Sequence, residues 1–245
     1  MNIILKNNIF LLLSVSMIIA KDSPNNWHSY WLQSGKGIIL DESNQWLLGG
    51  AAIAALSAKQ FKIDMKVKEY VQSHKILSDP ISHFGDEMGG TWGHWILWSS
   101  IITSSKIKKE SNKKFMSKIQ YSTLAMVSNG LITVGMKRAF GRERPKGSCC
   151  DSFPSGHTSH SFTMASIANE LYGKNIGLIS YGLATLVAVS RMNDEKHYLS
   201  DVIFGAGLGT AVGRAFAKNY QKLEETNVQI GLTSQMVLKI SIPIN

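Results

Sequence analysis

The sequence predicts an all-α protein, a helical bundle closed by a short C-terminal β-hairpin, and three observations carry that expectation. Uncharged segments rich in Ala, Leu, Ile and small polar residues recur along the chain, as at residues 119–136. Charges and turn formers (Lys59, Ser78-Asp79-Pro80, Lys137, Gly173) punctuate them, as helix ends require. β-Branched residues with partial alternation are confined to residues 228–244, and only there does the period favour strands.

Taken in order, Lys6 precedes an uncharged run at 7–20, whose apolar core of about 12 residues is too short to span a bilayer alone. It has the shape of a secretory signal with Ala20 as a cleavage point, although Ile18 stands where a small residue is usual. Residues 1–20 are expected as a signal peptide or an uncleaved N-terminal anchor, 21–225 as a single helical domain, and 226–245 as the hairpin tail. Trp27 and Trp31 are four apart and share one helical face. Residues 44–58 read as a buried helix. Residues 61–68 alternate apolar with charged, but Asp64 is a fair N-cap and Val67, Tyr70, Val71 and His74 keep helical spacing, so a helix is expected at 64–74.

Ser78-Asp79-Pro80 reads as a turn, with Gly85, Gly89, Gly90 and Gly93 loosening the segment after it. Trp92, Trp95 and Trp98 lead into a helix ending near Ser105, and 106–118 is a basic connector. Helices are expected at 119–136, closed by Lys137, which suits the helix dipole, then at 155–171, 176–190 and 198–218. In the last, Gly205, Gly207, Gly209 and Gly213 permit close helix packing.

The formal charge of +9 suits nucleic acid, anionic lipid or a phosphorylated substrate. With neither a zinc-finger spacing nor a Walker loop, no nucleic-acid partner is expected, and the lysines at 59–75 and 106–118 read as solvated or membrane-flanking cations. Cys149 and Cys150 are adjacent, which disfavours a bridge between them, so free thiols or an intermolecular bridge are expected. No metal site, cofactor or obligate protein partner is expected. Five segments of about 16–18 uncharged residues lie near the lower limit for spanning, while their Ser, Thr, Asn and His and the mean hydropathy of −0.02 count against a polytopic protein. The expectation is an exported bundle in the periplasm, or at or partly in the periplasmic face of the inner membrane.

Residues 137–201 hold the chemistry. Phosphoryl transfer needs positioning and stabilisation of charge on the equatorial oxygens; Lys137, Arg144 and Arg191 supply one mobile and two forked cations. Pro154-Ser155-Gly156-His157 places N–H groups and the Ser155 hydroxyl at a helix start, an anion site or simply a capped end. His157 stands close enough to protonate a leaving oxygen. Asp201 lies four residues after His197 on one helical face, where a carboxylate fixes one tautomer and leaves the other nitrogen free to attack phosphorus; a plain capping pair is the alternative. His160 reads as a surface histidine, and Arg138, Arg142 and Arg214 as surface charges.

The ordered set Lys-x6-Arg-Pro, Pro-Ser-Gly-His, Ser-Arg-x5-His-x3-Asp resembles the type 2 phosphatidic acid phosphatase superfamily, which also includes bacterial non-specific acid phosphatases and vanadium haloperoxidases. The resemblance covers roughly residues 119–216. It implies a helical bundle of that type and a metal-independent phosphomonoesterase. In it, Lys137, Arg144, Ser155, Gly156 and Arg191 bind phosphate, His197 is the nucleophile oriented by Asp201, and His157 is the general acid that later activates water. Apolar helices and tryptophans beside the site point to a lipid phosphate (phosphatidate, isoprenyl diphosphate or lipid A type). A soluble periplasmic acid phosphatase is the alternative, ahead of a vanadate-dependent haloperoxidase or an inactive envelope scaffold.

Overall fold

Uncharged segments fold as helices here, and the residues that flank them supply the caps. The computed structural model describes residues 27–240, with side chains from 27 to 221. Among the described residues there are helices and no strand: α1 (Trp27–Leu40), α2 (Glu42–Gln60), α3 (Ile63–His74), α4 (Asp79–Gly89), α5 (Thr91–Ile107), α6 (Asn112–Phe140), α7 (Gly156–Tyr172), α8 (Lys174–Asn193) and α9 (Leu199–Ile240). Ser111 caps α6 by accepting the Lys114 N–H at 3.3 Å, and Ser155 caps α7 by accepting that of Thr158. Gly141, at φ 50°, ends α6 in the left-handed conformation that a Cβ disfavours, and its N–H returns to the Lys137 carbonyl.

Helix α9 is central, packing on α7, α2, α1 and α6. Two of its glycines set how closely α7 approaches. A Cβ on Gly205 would lie 2.9 Å from the Ser155 carbonyl oxygen, and one on Gly209 would collide with that of Ser159. Since Ser155 opens α7, this contact fixes the start of α7 against the start of α9. Further along lies the main apolar cluster, including Tyr30, Tyr121, Ile167, Val212 and Phe216, with the Tyr30 hydroxyl donating to the Phe216 carbonyl at 2.8 Å.

Polarity is distributed inside out. Ser122, Thr123, Ser128 and Asn129 on α6 and Ser159, Thr163 and Ser166 on α7 are buried, while Trp46 is 77% exposed and Ile53, Trp95, Leu178 and Ile179 are exposed as well. Nearby carbonyls take up several interior hydroxyls, Ser122 donating to Lys118 at 2.8 Å and Thr163 to Ser159 and Gly209 at 3.0 and 3.1 Å, whereas those of Thr123 and Ser161 are buried without a hydrogen-bond partner. Helix α8, 20 residues long, is long and apolar enough to cross a membrane.

Several expectations are corrected. The C-terminal β-hairpin is not formed: the backbone continues as α9 to Ile240. Extending an existing helix adds one hydrogen bond per residue, whereas an isolated two-stranded hairpin is marginal in water. Helix α2 is not buried, since Trp46, Ile53 and Leu56 all face outward. Ser78-Asp79-Pro80 opens α4, with Pro80 in its first turn where the missing N–H costs nothing. The basic connector shrinks to residues 108–111, because α6 starts at Asn112. The signal or anchor segment at 1–20 and the end of the tail at 241–245 lie outside the described residues.

Replacing Gly209 with alanine should destabilise the α7–α9 contact by about 1–3 kcal/mol, as overpacking does. A lower thermal midpoint of the detergent-solubilised protein is expected, and an unchanged midpoint would show that the two helices separate freely.

Candidate active site

The loop between α6 and α7 is closed by the Ser152 N–H bonding the Arg142 carbonyl at 2.9 Å, and it delivers the first two motifs to the starts of α7 and α9. Lys137, in the last turn of α6, donates its Nζ to the Asp151 carbonyl. Arg144 forks onto the Asp151 carboxylate, Nε at 2.7 Å and a terminal nitrogen at 2.9 Å. Burial opposes ionisation of Asp151, but the Arg144 hydrogen bonds and charge overcome it and hold the carboxyl below its ordinary value. Lys137 and Arg144 thus converge on one loop residue that sequence reasoning did not single out.

Ser155 is buried. Its hydroxyl lies 2.9 Å from that of Thr158, and its N–H donates to the Asp201 carbonyl at 3.0 Å. A Cβ on Gly156 would stand 3.8 Å from the Lys137 Cε, so the helix start and the lysine face each other. His157 points to α4, its Nε2 3.2 Å from the Asp86 carboxylate. Arg191, in the last turn of α8, donates to the same Asp86 oxygen and to Asp194 at 3.0 Å. His160 is not a surface histidine, as it packs against the His94 ring at 5.7 Å with its Nδ1 3.1 Å from Asn129.

His197 is 4% exposed. Its backbone N–H bonds the Arg191 carbonyl at 3.2 Å, tying the two motif residues together. Its Nδ1 lies 2.8 Å from the Ser152 carbonyl; a carbonyl only accepts, so Nδ1 carries the proton and Nε2 presents its lone pair. Burial pushes the imidazolium down to a pKa of about 4, with Asp201 opposing the shift, so at neutral pH the ring is uncharged. Asp201 is expected as the direct orienting partner, but the Ser152 carbonyl makes the hydrogen bond and Asp201 stands 3.7 Å from the same nitrogen.

Asp201 instead anchors what surrounds the histidine. It is 0% exposed and accepts from the Ser152 hydroxyl at 2.5 Å, the Tyr198 N–H at 2.8 Å and Arg142 at 2.6 Å. Arg142 is therefore no surface charge. It bridges Asp201 to Asp64 of α3 at 2.7 Å and lies over the Tyr198 ring. Asp64 completes the frame by accepting from the Ser200 N–H and hydroxyl at 2.9 and 2.6 Å. The eight expected residues are thus linked through Asp151, Ser152, Asp86 and Arg142, an arrangement able to hold a tetrahedral anion beside an unprotonated imidazole nitrogen.

Comparison with known proteins agrees with the signature. Residues 121–225 match the model of the PAP2 superfamily. Over 87 residues the chain is 37% identical to a lipid A 1-phosphatase of Porphyromonas gingivalis, covering 34% of this chain and 19% of that protein; the chain spans about a fifth of the length of this curated relative. Two crystal structures share the fold. LpxE of Aquifex aeolicus has a TM-score of 0.51 at 20% identity, over 63% of this chain and 94% of its own. A transmembrane PAP2 type phosphatidylglycerolphosphate phosphatase of Bacillus subtilis has 0.56 at 18%, over 71% and 92%.

Arg142→Ala leaves two buried carboxylates without their shared cation and should cost about 3 kcal/mol or more. Denaturant unfolding reads this directly, and a variant as stable as the parent would remove Arg142 from the frame.

Proposed function

We propose, from a chain whose residues 121–225 belong to the PAP2 superfamily, that the protein is a metal-independent phosphatase acting on a lipid phosphate at the bacterial envelope. The observation that carries the reading is the His197 tautomer: Nδ1–H held by the Ser152 carbonyl at 2.8 Å leaves Nε2 as a neutral nucleophile among Lys137, Arg144 and Arg191.

In the proposed reaction the three cations, the Ser155 cap and the N–H of Gly156 hold the phosphoryl oxygens. Nε2 of His197 attacks phosphorus as the bond to the leaving oxygen breaks, and His157 gives that oxygen its proton. A water molecule then attacks the phosphohistidine, with His157 taking its proton. The nitrogen–phosphorus bond breaks, and inorganic phosphate leaves with His197 neutral again. Asp201, through Ser152 and the α9 start, keeps the ring in place.

Lipid is favoured by the outer surface: Trp46 of α2, Trp92 and Trp95 of α5 and Leu178 of α8 are exposed large apolar groups that a bilayer would cover. The names of the similar proteins, a lipid A 1-phosphatase and a phosphatidylglycerolphosphate phosphatase, agree with a lipid phosphate ester or diphosphate. Exported orientation, with the site facing the periplasm, belongs to the same proposal.

His197→Ala should abolish turnover while leaving the fold intact, and a trapped phosphoenzyme should carry its phosphate on His197; full turnover by the variant sinks the mechanism. Micellar lipid phosphate should be hydrolysed well ahead of a short soluble phosphomonoester, and the reverse preference would make the enzyme a soluble-type acid phosphatase. Because a protonated His197 has no lone pair to offer, the acid side of the kcat/KM profile should fall only as the pH drops through about 4, far below the ordinary imidazole value. An acid limb near 6.5, the value of an unperturbed histidine, would contradict the buried neutral ring.

A further inference from the structure

Helix α4 lies outside the matched residues 121–225, yet it reaches both ends of the chemistry. It packs tightly there: a Cβ on Gly85 would stand 2.6 Å from the Ser190 hydroxyl, and one on Gly89 would stand 3.1 Å from the His157 ring. Ser82 of α4 also donates to Asp194 at 2.6 Å. One α4 side chain exploits this contact. Asp86 Oδ1 lies 3.2 Å from His157 Nε2 and accepts a hydrogen bond from Arg191.

We propose that Asp86 is a positioning residue of the phosphatase site, bridging the general acid His157 to Arg191 and competing with the substrate's phosphate for that arginine. The inference rests on the phosphatase reading and extends it to a residue that the signature lacks. The groups facing His157 are Asp86 from α4, His94 from α5 and, on its own helix, His160, while Arg191 from α8 and Lys196 face Asp86. Of these, Asp86 alone is anionic. Its one shared oxygen sets the His157 ring and the Arg191 fork relative to each other before substrate binds. The His157 hydrogen bond, with Arg191 and Lys196 adding charge, draws the Asp86 carboxyl down to about 2, so the carboxylate persists wherever the enzyme would work.

The same oxygen occupies the Arg191 fork. A phosphate that binds Arg191 must share the guanidinium with Asp86 or push the carboxylate aside. At 39% exposure the carboxylate has room to turn toward solvent, whereas the Arg191 side chain, 3% exposed, stays. Asp86 is thus a displaceable stand-in that holds His157 and Arg191 in place and weakens product phosphate at the site.

The test uses the full chain in detergent, as wild type, Asp86→Asn and Asp86→Glu. Two quantities are read: kcat and KM taken separately, and the affinity for inorganic phosphate by calorimetry. In Asp86→Asn inorganic phosphate should bind several-fold tighter, and KM should fall with it. Asp86→Glu should stay near the wild type in both. Absence of either shift in Asp86→Asn, or a Glu variant that behaves like the Asn variant, overturns the proposal. Should Asp86→Asn not fold, Asp86→Ser at this half-exposed position takes its place with the same expectations. A wild type that hydrolyses no phosphate ester refutes the proposed function, and phosphate affinity then decides Asp86 alone. A wild type that binds no phosphate overturns both.

Discussion

A carboxylate withdrawn completely from water must be matched by donors and positive charge or it does not stay ionised, and Asp201 is such a group. The structure around it meets that demand. Arg142 supplies the charge, and the Ser152 hydroxyl and Tyr198 N–H supply two further donors. Each of these serves the site a second time. Ser152 turns its carbonyl to His197, Tyr198 lies beneath the Arg142 guanidinium, and Arg142 extends the network to Asp64 on α3. The main chain of Asp201 takes the Ser155 N–H, so the residue that anchors the surroundings of His197 also anchors the start of α7. Removing one member leaves the others desolvated and unpaired, which is why the network behaves as a unit and not as a sum of contacts.

The two forked cations and the lysine show the complementary constraint. Converging positive charges repel, and here protein oxygens separate them: Asp151 between Lys137 and Arg144, Asp86 and Asp194 around Arg191. Such pairing holds the side chains in place, and in the proposed reaction an arriving phosphate has to compete with it. For an enzyme that must release inorganic phosphate, moderate affinity is an advantage, since uniform tight binding of ground states adds nothing to the chemical step.

Much of this is legible in the sequence. Helices α3, α5, α7 and α8 and the start of α9 fall within a few residues of where the sequence places them, and the glycines of α9 pack as their spacing suggests. Lys137, Arg144, Ser155, His157, Arg191, His197 and Asp201 meet at one end of the bundle because each motif sits at a helix end or in the loop that joins two. What escapes is of one kind. Arg142 looks like any loop arginine, Asp64 like an N-cap, Ser152 and Asp151 like loop polar residues, and Asp86 like a helix charge. Their roles come from pairings across 59, 78 and 105 residues of sequence, and no local period or motif encodes such a distance. Even the His197 tautomer is set by a different partner, since helical spacing shows that Asp201 is near but not that a carbonyl is nearer. The tail misleads because β-branched composition says nothing of the cost of starting a new element.

Mean hydropathy counts against a membrane, but an average does not record where the apolar groups lie. A bundle surrounded by water puts its hydroxyls outside and its large apolar groups inside, and the average then reports how much core there is. This bundle does the reverse over much of its surface. Buried Ser122, Asn129, Ser159 and Thr163 lower the average from the interior, while Trp46, Ile53, Trp95 and Leu178 face outward. Such polar groups cost little inside, because Ser122 and Thr163 bond carbonyls of their own helix or its neighbour and Ser159 bonds the Asn129 side chain, and small side chains let helices approach closely. Apolar groups outside would be unfavourable in water and are favoured against acyl chains. The polar residues that count against a membrane in the sequence are those that face one another, so hydropathy resolved by burial, and not its mean, is the quantity that points to lipid.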